Sequence, residues 1–221
     1  PAFSLGNFPA IMSGDCGGID AYRRYYGGLG SPLSMMDVLD ASARELAPYQ
    51  QRPFSVPQAF GQSPQQSTET PEYVRIQAYL SLIHGASGLG FYCWQQTGDW
   101  NGQHRQGMGW NPPTAHEVKK IIAEVKVFDQ AIMAPGAKQL RSADDNVHVL
   151  LCGNDETGRF LVCANAYELP VKTTLALPGL KALELEPLFD APKAKLAGGV
   201  LVFGKRDELV LELPGFGTAV W

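Results

Sequence analysis

The sequence predicts an α/β fold followed by an all-β one. Three observations support this. Over residues 1–133, short apolar runs alternate with segments whose apolar residues recur at helical spacing. From Lys138 onward, apolar and polar residues alternate at period two. Between them lies Met133-Ala134-Pro135-Gly136, a breaker cluster that places the expected boundary near Pro135.

In chain order, the first apolar runs are 1–5 and 16–22, the second ending in Asp20 and Tyr22. Gly27, Gly28 and Gly30 mark a loop. Ser31-Pro32 then opens a helix with Leu33, Met36, Leu39, Ala43 and Leu46 near helical spacing, and Pro48 ends it. A third run covers 54–60. Thr70-Pro71-Glu72 has the chemistry of a helix start: a capping hydroxyl, a proline suited to the first turn, and a carboxylate that complements the dipole. Val74, Ala78 and Leu82, with Ile76, Tyr79, Leu80 and Ile83, give that helix a broad buried face, and Gly85 ends it. Residues 88–94, GLGFYCW, form the fourth run. Buried strands joined through a helix are expected to pair in parallel. The last helix of this half begins at Thr114, where Thr114 and Glu117 fit a capping box. Val118, Ile121, Ile122, Val125, Phe128 and Ile132 form its apolar stripe.

In the second half, Val147, Val149 and Leu151 alternate with His148, Leu150 and Cys152. Residues 154–158, NDETG, have hairpin-turn chemistry before Phe160, Val162 and Ala164. Further strand faces fall at Val171–Leu177, Leu183–Leu185, Val200–Val202 and Leu209–Leu213, with GTAVW at the end. Seven or eight short strands with Gly, Pro and Asp turns predict an antiparallel β-sandwich. Cys16, Cys93, Cys152 and Cys163 have no metal-type spacing and read as buried thiols rather than disulfides.

The formal charge is −4, so no field for a polyanion exists and a nucleic-acid partner is not expected. No apolar run approaches the ~18–20 residues of a membrane span. No signal peptide is visible, and Pro1 is not a native start, so the compartment stays open, with secretion or the periplasm among the options. No cofactor or metal set is read from the chain.

QAFG at a strand end, TPE at a helix start and then QAYLSLIHGASGLGFYCW together resemble the last two strand–helix units of a glycoside-hydrolase TIM barrel. The bacterial enzymes in question carry a small β-sandwich after the barrel. The resemblance implies that residues 1–135 are strands five to eight of a (β/α)8 barrel and 136–221 the sandwich. A full barrel needs roughly 250 residues, so the first four strands are missing from this chain. An open half-barrel would leave an apolar face uncovered, so a second chain is expected, carrying the first half or a further copy of this one. The implied activity is hydrolysis of poly- or oligosaccharides. The alternatives are a non-catalytic carbohydrate-binding protein and an assembly role.

Parallel barrels work at the C-terminal ends of their strands. Those ends supply Asp20 and Tyr22, then Gln58, then Trp94 and Gln95. The Gly-rich loop 97–111 adds Asp99, Trp100 and Trp110. Aromatic faces, amides and carboxylates are what a sugar needs. Asp20 is the catalytic candidate; as the alternative, it caps a turn or holds a hydroxyl. Trp94 has core packing as its alternative, and His84, within a helix, reads as a structural histidine. Glycoside hydrolysis needs two carboxyl groups, about 5–5.5 Å apart in retaining enzymes and ~6.5–9.5 Å in inverting ones. The resemblance puts a nucleophilic Glu where this chain has Gln58, so the family's carboxylate pair does not carry over.

Overall fold

The computed structural model describes residues 16–19, 33–59, 70–92, 99–100, 103–104, 107–176, 188–189, 208–213, 215 and 217–220. By packing, the chain divides into two compact units, 1–123 and 124–221.

In the first unit, β1 (Cys16–Ile19), β2 (Arg52–Ser55) and β3 (Gly88–Leu89) form a parallel sheet in the order β1-β2-β3. Ile19 lies opposite Ser55, and Ser55 opposite Leu89. The helices α1 (Leu33–Leu46) and α2 (Pro71–Ile83) fall between successive strands, as the apolar periodicity predicts. Strands β2 and β3 are shorter than the runs 54–60 and 88–94. The cause lies in part at Pro57, which has no N–H to give the ladder. Its carbonyl accepts from the Tyr92 N–H at 3.2 Å, and the Ala59 N–H donates to the Tyr92 carbonyl at 2.7 Å. A single parallel bridge, Gln58 to Tyr92, continues the pairing.

Helix α2 starts and stops as its sequence dictates. The Thr70 hydroxyl accepts from the Tyr73 N–H at 3.2 Å, and Gly85 follows the helix at φ +93°. Ten of its residues are buried, among them Val74, Ile76, Tyr79, Leu80 and Ile83. Small polar groups join it to the sheet: the Ser55 and Ser81 hydroxyls are 2.7 Å apart, and Ser81 also donates to the Gln77 carbonyl at 2.7 Å. On the other face of β2, Phe54 lies opposite Gly88. A Cβ at Gly88 or Gly90 would stand 3.0 Å from that ring, so β3 is glycine-rich to admit it.

Helix α3 (Pro112–Met133) begins two residues earlier than its capping-box pattern predicts. Asn111 takes the cap position, its side-chain oxygen accepting from the Thr114 N–H at 3.4 Å. Prolines 112 and 113 lack the N–H groups that a first turn leaves unpaired, so they fit there. Glu117 is then not a capping partner; it pairs with Arg75 of α2. In the apolar stripe, Val118, Ile121, Phe128 and Ile132 are buried, whereas Ile122 is exposed. Ile122 directly follows Ile121, about 100° round the helix, and so leaves the buried face.

The second unit is antiparallel. Strands β6 (Lys138–Leu140), β7 (Val147–Asn154), β8 (Gly158–Asn165) and β11 (Thr218–Val220) form one sheet in the order β11-β8-β7-β6. Strands β9 (Val171–Ala176) and β10 (Glu208–Leu213) form a pair. The chain after β6 joins the two: Ser142 bridges Leu175, and its hydroxyl is 2.8 Å from that of Thr173. The β7–β8 turn is built by Asn154, whose side-chain oxygen accepts from the N–H groups of Glu156 and Thr157 at 2.9 and 3.1 Å. Gly153 stands at φ +87°, where a Cβ would lie 1.9 Å from the Gly158 carbonyl. Cys152 faces Phe160 and Cys163 faces Val149, so the two thiols are buried, free and on separate pairs. The expected strand faces at 1–5, 183–185 and 200–202 lie outside the described residues.

Candidate active-site rim

The three parallel strands run in one direction, so their C-terminal ends share one side of the sheet. Gln58 and Tyr92 are paired there. Gln58 is only 3% exposed, and its backbone is held at both polar atoms by one side chain. Its N–H donates to Gln77 Oε1 at 3.0 Å, and its carbonyl accepts from Gln77 Nε2 at 3.1 Å. Gln77 Nε2 also lies 3.3 Å from the Tyr73 carbonyl. A buried amide in α2 thus does for Gln58 what a neighbouring strand would do, and fixes the end of β2 where regular pairing has stopped. Sequence patterning hides this clamp, because Gln77 sits within the helix's apolar face and carries no periodic signal.

Asp20, Tyr22, Trp94 and Gln95 lie outside the described residues. Asp20 directly follows β1, and Trp94 comes two residues after Tyr92. The stretch 97–111 is not one open loop. It contains a hairpin, β4 (Asp99–Trp100) with β5 (Gln103–His104), and a 3-10 turn at Met108–Trp110. Asp99 pairs with His104, and Trp100 with Gln103. The missed signal is Asn101-Gly102, the dipeptide that two-residue hairpin connections favour. Trp110 ends the 3-10 turn just before α3.

At the far end of α2, just before β3 begins, His84 Nδ1 lies 2.7 Å from Asp40 Oδ1, linking α2 to α1. His84 is 6% exposed, which is the structural role its helical position implies. Among the described residues, no group of three or more His, Cys, Asp or Glu could hold a metal ion, and no helix is long and apolar enough to cross a membrane.

No protein-family profile matches the sequence, and no curated protein matches it. Solved structures do. The debranching enzyme of Nostoc punctiforme is similar over 80% of this chain and 39% of its own, at 13% identity and a TM-score of 0.46. The α-amylase of H. orenii is similar over 98% of this chain and 50% of its own, at 13% identity and a TM-score of 0.45. The chain therefore spans half or less of the length of these two structures. A likeness at this level leaves the activity and substrate of this chain to be argued from its own residues.

Proposed function

We propose that the protein is the C-terminal portion of a glycoside hydrolase, with sugar bound at the C-terminal ends of β1, β2 and β3. In this reading, the parallel strands and their helices are the second half of a (β/α)8 barrel, and the antiparallel strands that follow form a β-sandwich. The observation that carries it is the ordered parallel sheet β1-β2-β3 with a helix before each new strand, whose C-terminal side holds the clamped Gln58. That side of an α/β sheet is where ligands bind. Its residues offer carboxylate, amide and indole, which suit a polyol. The resemblance of QAFG, TPE and the HGASGLGFYCW ending supports the same class.

Within the site, Asp20 is the carboxylate with catalytic chemistry. Tyr22, Trp94, Gln95, Asp99, Trp100 and Trp110 supply ligand contacts. Gln58, expected from the sequence as a ligand contact, is nearly buried, and its part in the site is to fix the end of β2. A second chain closes the barrel, either its first half or another copy. The test is hydrolysis of aryl glycosides and polysaccharides, with calorimetric titration of the same sugars. Asp20→Asn is expected to fold and to lose most turnover while retaining binding. Trp94→Ala is expected to weaken binding by about 1–3 kcal/mol, the worth of a large apolar contact. Sugar binding without turnover in the parent protein would move the assignment to a carbohydrate-binding protein. Unchanged turnover and binding in both variants would place the site elsewhere.

A further inference from the structure

Tyr92, on the C-terminal side of β3, is 36% exposed. Among the described residues, it is the one exposed large apolar side chain at the end of a parallel strand. The others are Tyr49, before β2, and residues of α3 and the second unit. Gln58 and Tyr92 stand in the same register as Phe54 and Gly88, so strand alternation runs on unbroken to this point. Tyr92 therefore shares a face with Gly88 and Gly90, the face that the Phe54 ring occupies. Helix α2 meets the other face, through Ser81 and Ser55. Neither glycine has a side chain to screen the ring. An accessible phenol thus stands on the side of the sheet where ligands bind.

The backbone that carries it is held on both edges. The Tyr92 N–H donates to the Pro57 carbonyl at 3.2 Å, and its carbonyl accepts from the Ala59 N–H at 2.7 Å. Between those two residues lies Gln58, whose own N–H and carbonyl both go to the Gln77 amide. Successive residues of a strand turn their polar groups to opposite sides, so Gln77 holds the edge of β2 that faces away from Tyr92.

We infer that Tyr92 is a sugar-stacking residue of the rim, and that Gln77 is the positioning residue that sets it. This rests on the carbohydrate reading above and adds both residues to it. An aromatic face suits the C–H side of a pyranose, and the phenol adds one group that donates or accepts. Gln77 is only 4% exposed, so it acts through the strand end rather than on the sugar. A platform fixed beforehand costs less to order on binding. Without the clamp, the ligand must order Tyr92 itself, and affinity falls although no ligand contact has been removed.

The test is calorimetric titration of the full protein with maltotriose, cellotriose and raffinose, at a temperature where circular dichroism shows every variant folded. The variants are Tyr92→Ala, Tyr92→Phe, Gln77→Met, and the one carrying both Tyr92→Ala and Gln77→Met. Methionine is close to glutamine in length and lacks its amide. Tyr92→Ala should weaken the best-bound trisaccharide about tenfold, and Tyr92→Phe should recover most of that loss. Gln77→Met should weaken it about threefold when Tyr92 is present and leave it unchanged when Tyr92 is alanine, since no ring is left to place. A general loosening of the fold would instead weaken both backgrounds alike. Unchanged affinity in Tyr92→Ala would overturn the platform, and equal losses from Gln77→Met in both backgrounds, or none in either, would overturn the positioning. Each of these results leaves the carbohydrate reading in place. If the parent binds none of the three sugars and hydrolyses none of the glycosides named above, both fall together.

Discussion

Two of the sheets in this protein are held by different means. The β7–β8 hairpin pairs two eight-residue strands from Val147 opposite Asn165 to Asn154 opposite Gly158. Its register is closed by a local turn, and its buried residues are mostly apolar. The parallel sheet of the first unit has little ladder to rely on, since β3 is two residues long. It is positioned instead by polar side chains from α2: Ser81 against Ser55, and Gln77 against the Gln58 backbone. Parallel strands meet only through a crossover, so their alignment must be passed through the intervening helix. A hairpin needs no such device.

That difference can be broken at one residue. Gln77→Leu removes the two bonds that Gln77 makes to the buried Gln58 backbone. Breaking a buried hydrogen bond from one side costs about 1–3 kcal/mol, so a loss of roughly 2–6 kcal/mol is expected in urea unfolding. If that variant is as stable as the parent, the clamp does not hold the sheet. On the antiparallel side, the weak point is backbone rather than side chain. Gly153→Ala places a methyl against the Gly158 carbonyl at a left-handed φ. It should cost about 1–3 kcal/mol by the same measurement, with the sheet's hairpin displaced. A neutral result would mean that the turn relaxes freely.

The smallest effect concerns pH. Burial pushes the Cys152 thiol up to about 11 and raises that of Cys163 still further. An unfolded thiol ionises near ~8.5. The unfolded chain thus loses protons first, and stability is fully present below that pH and declines as the pH rises towards 11. The native thiols of Cys152 and Cys163 should also resist a disulfide reagent at pH 8 and react only after unfolding. Rapid reaction of either buried cysteine in the native protein would contradict their burial.

Much of this fold is legible in the sequence, and for reasons that differ by region. Thr70, Pro71 and Gly85 mark α2 because capping chemistry is local. The alternation through Val147–Cys152 marks β7 because one face of an antiparallel strand is buried. The illegible parts are those fixed by tertiary contact. Nothing near Gln77 in sequence announces that it will bind residue 58. Thr114 and Glu117 fit a capping box, yet Asn111 is the cap and Arg75 takes the glutamate. The hairpin at Asp99–His104 was legible from Asn101-Gly102, but its strands are too short for periodicity to register. At the rim, Gln58 follows from the strand order, while Asp20, Tyr22, Trp94 and Gln95 stand on sequence position alone.

The central claim is that sugar binds at the C-terminal ends of the parallel strands. Hydrogen–deuterium exchange of the full protein, with and without a saturating oligosaccharide drawn from the titration series, reads this directly. Protection is expected in the peptides covering 19–26, 58–66 and 92–104, with the antiparallel unit over 138–220 unchanged. Protection confined to 138–220, or absent from the segments after β1, β2 and β3, would contradict it.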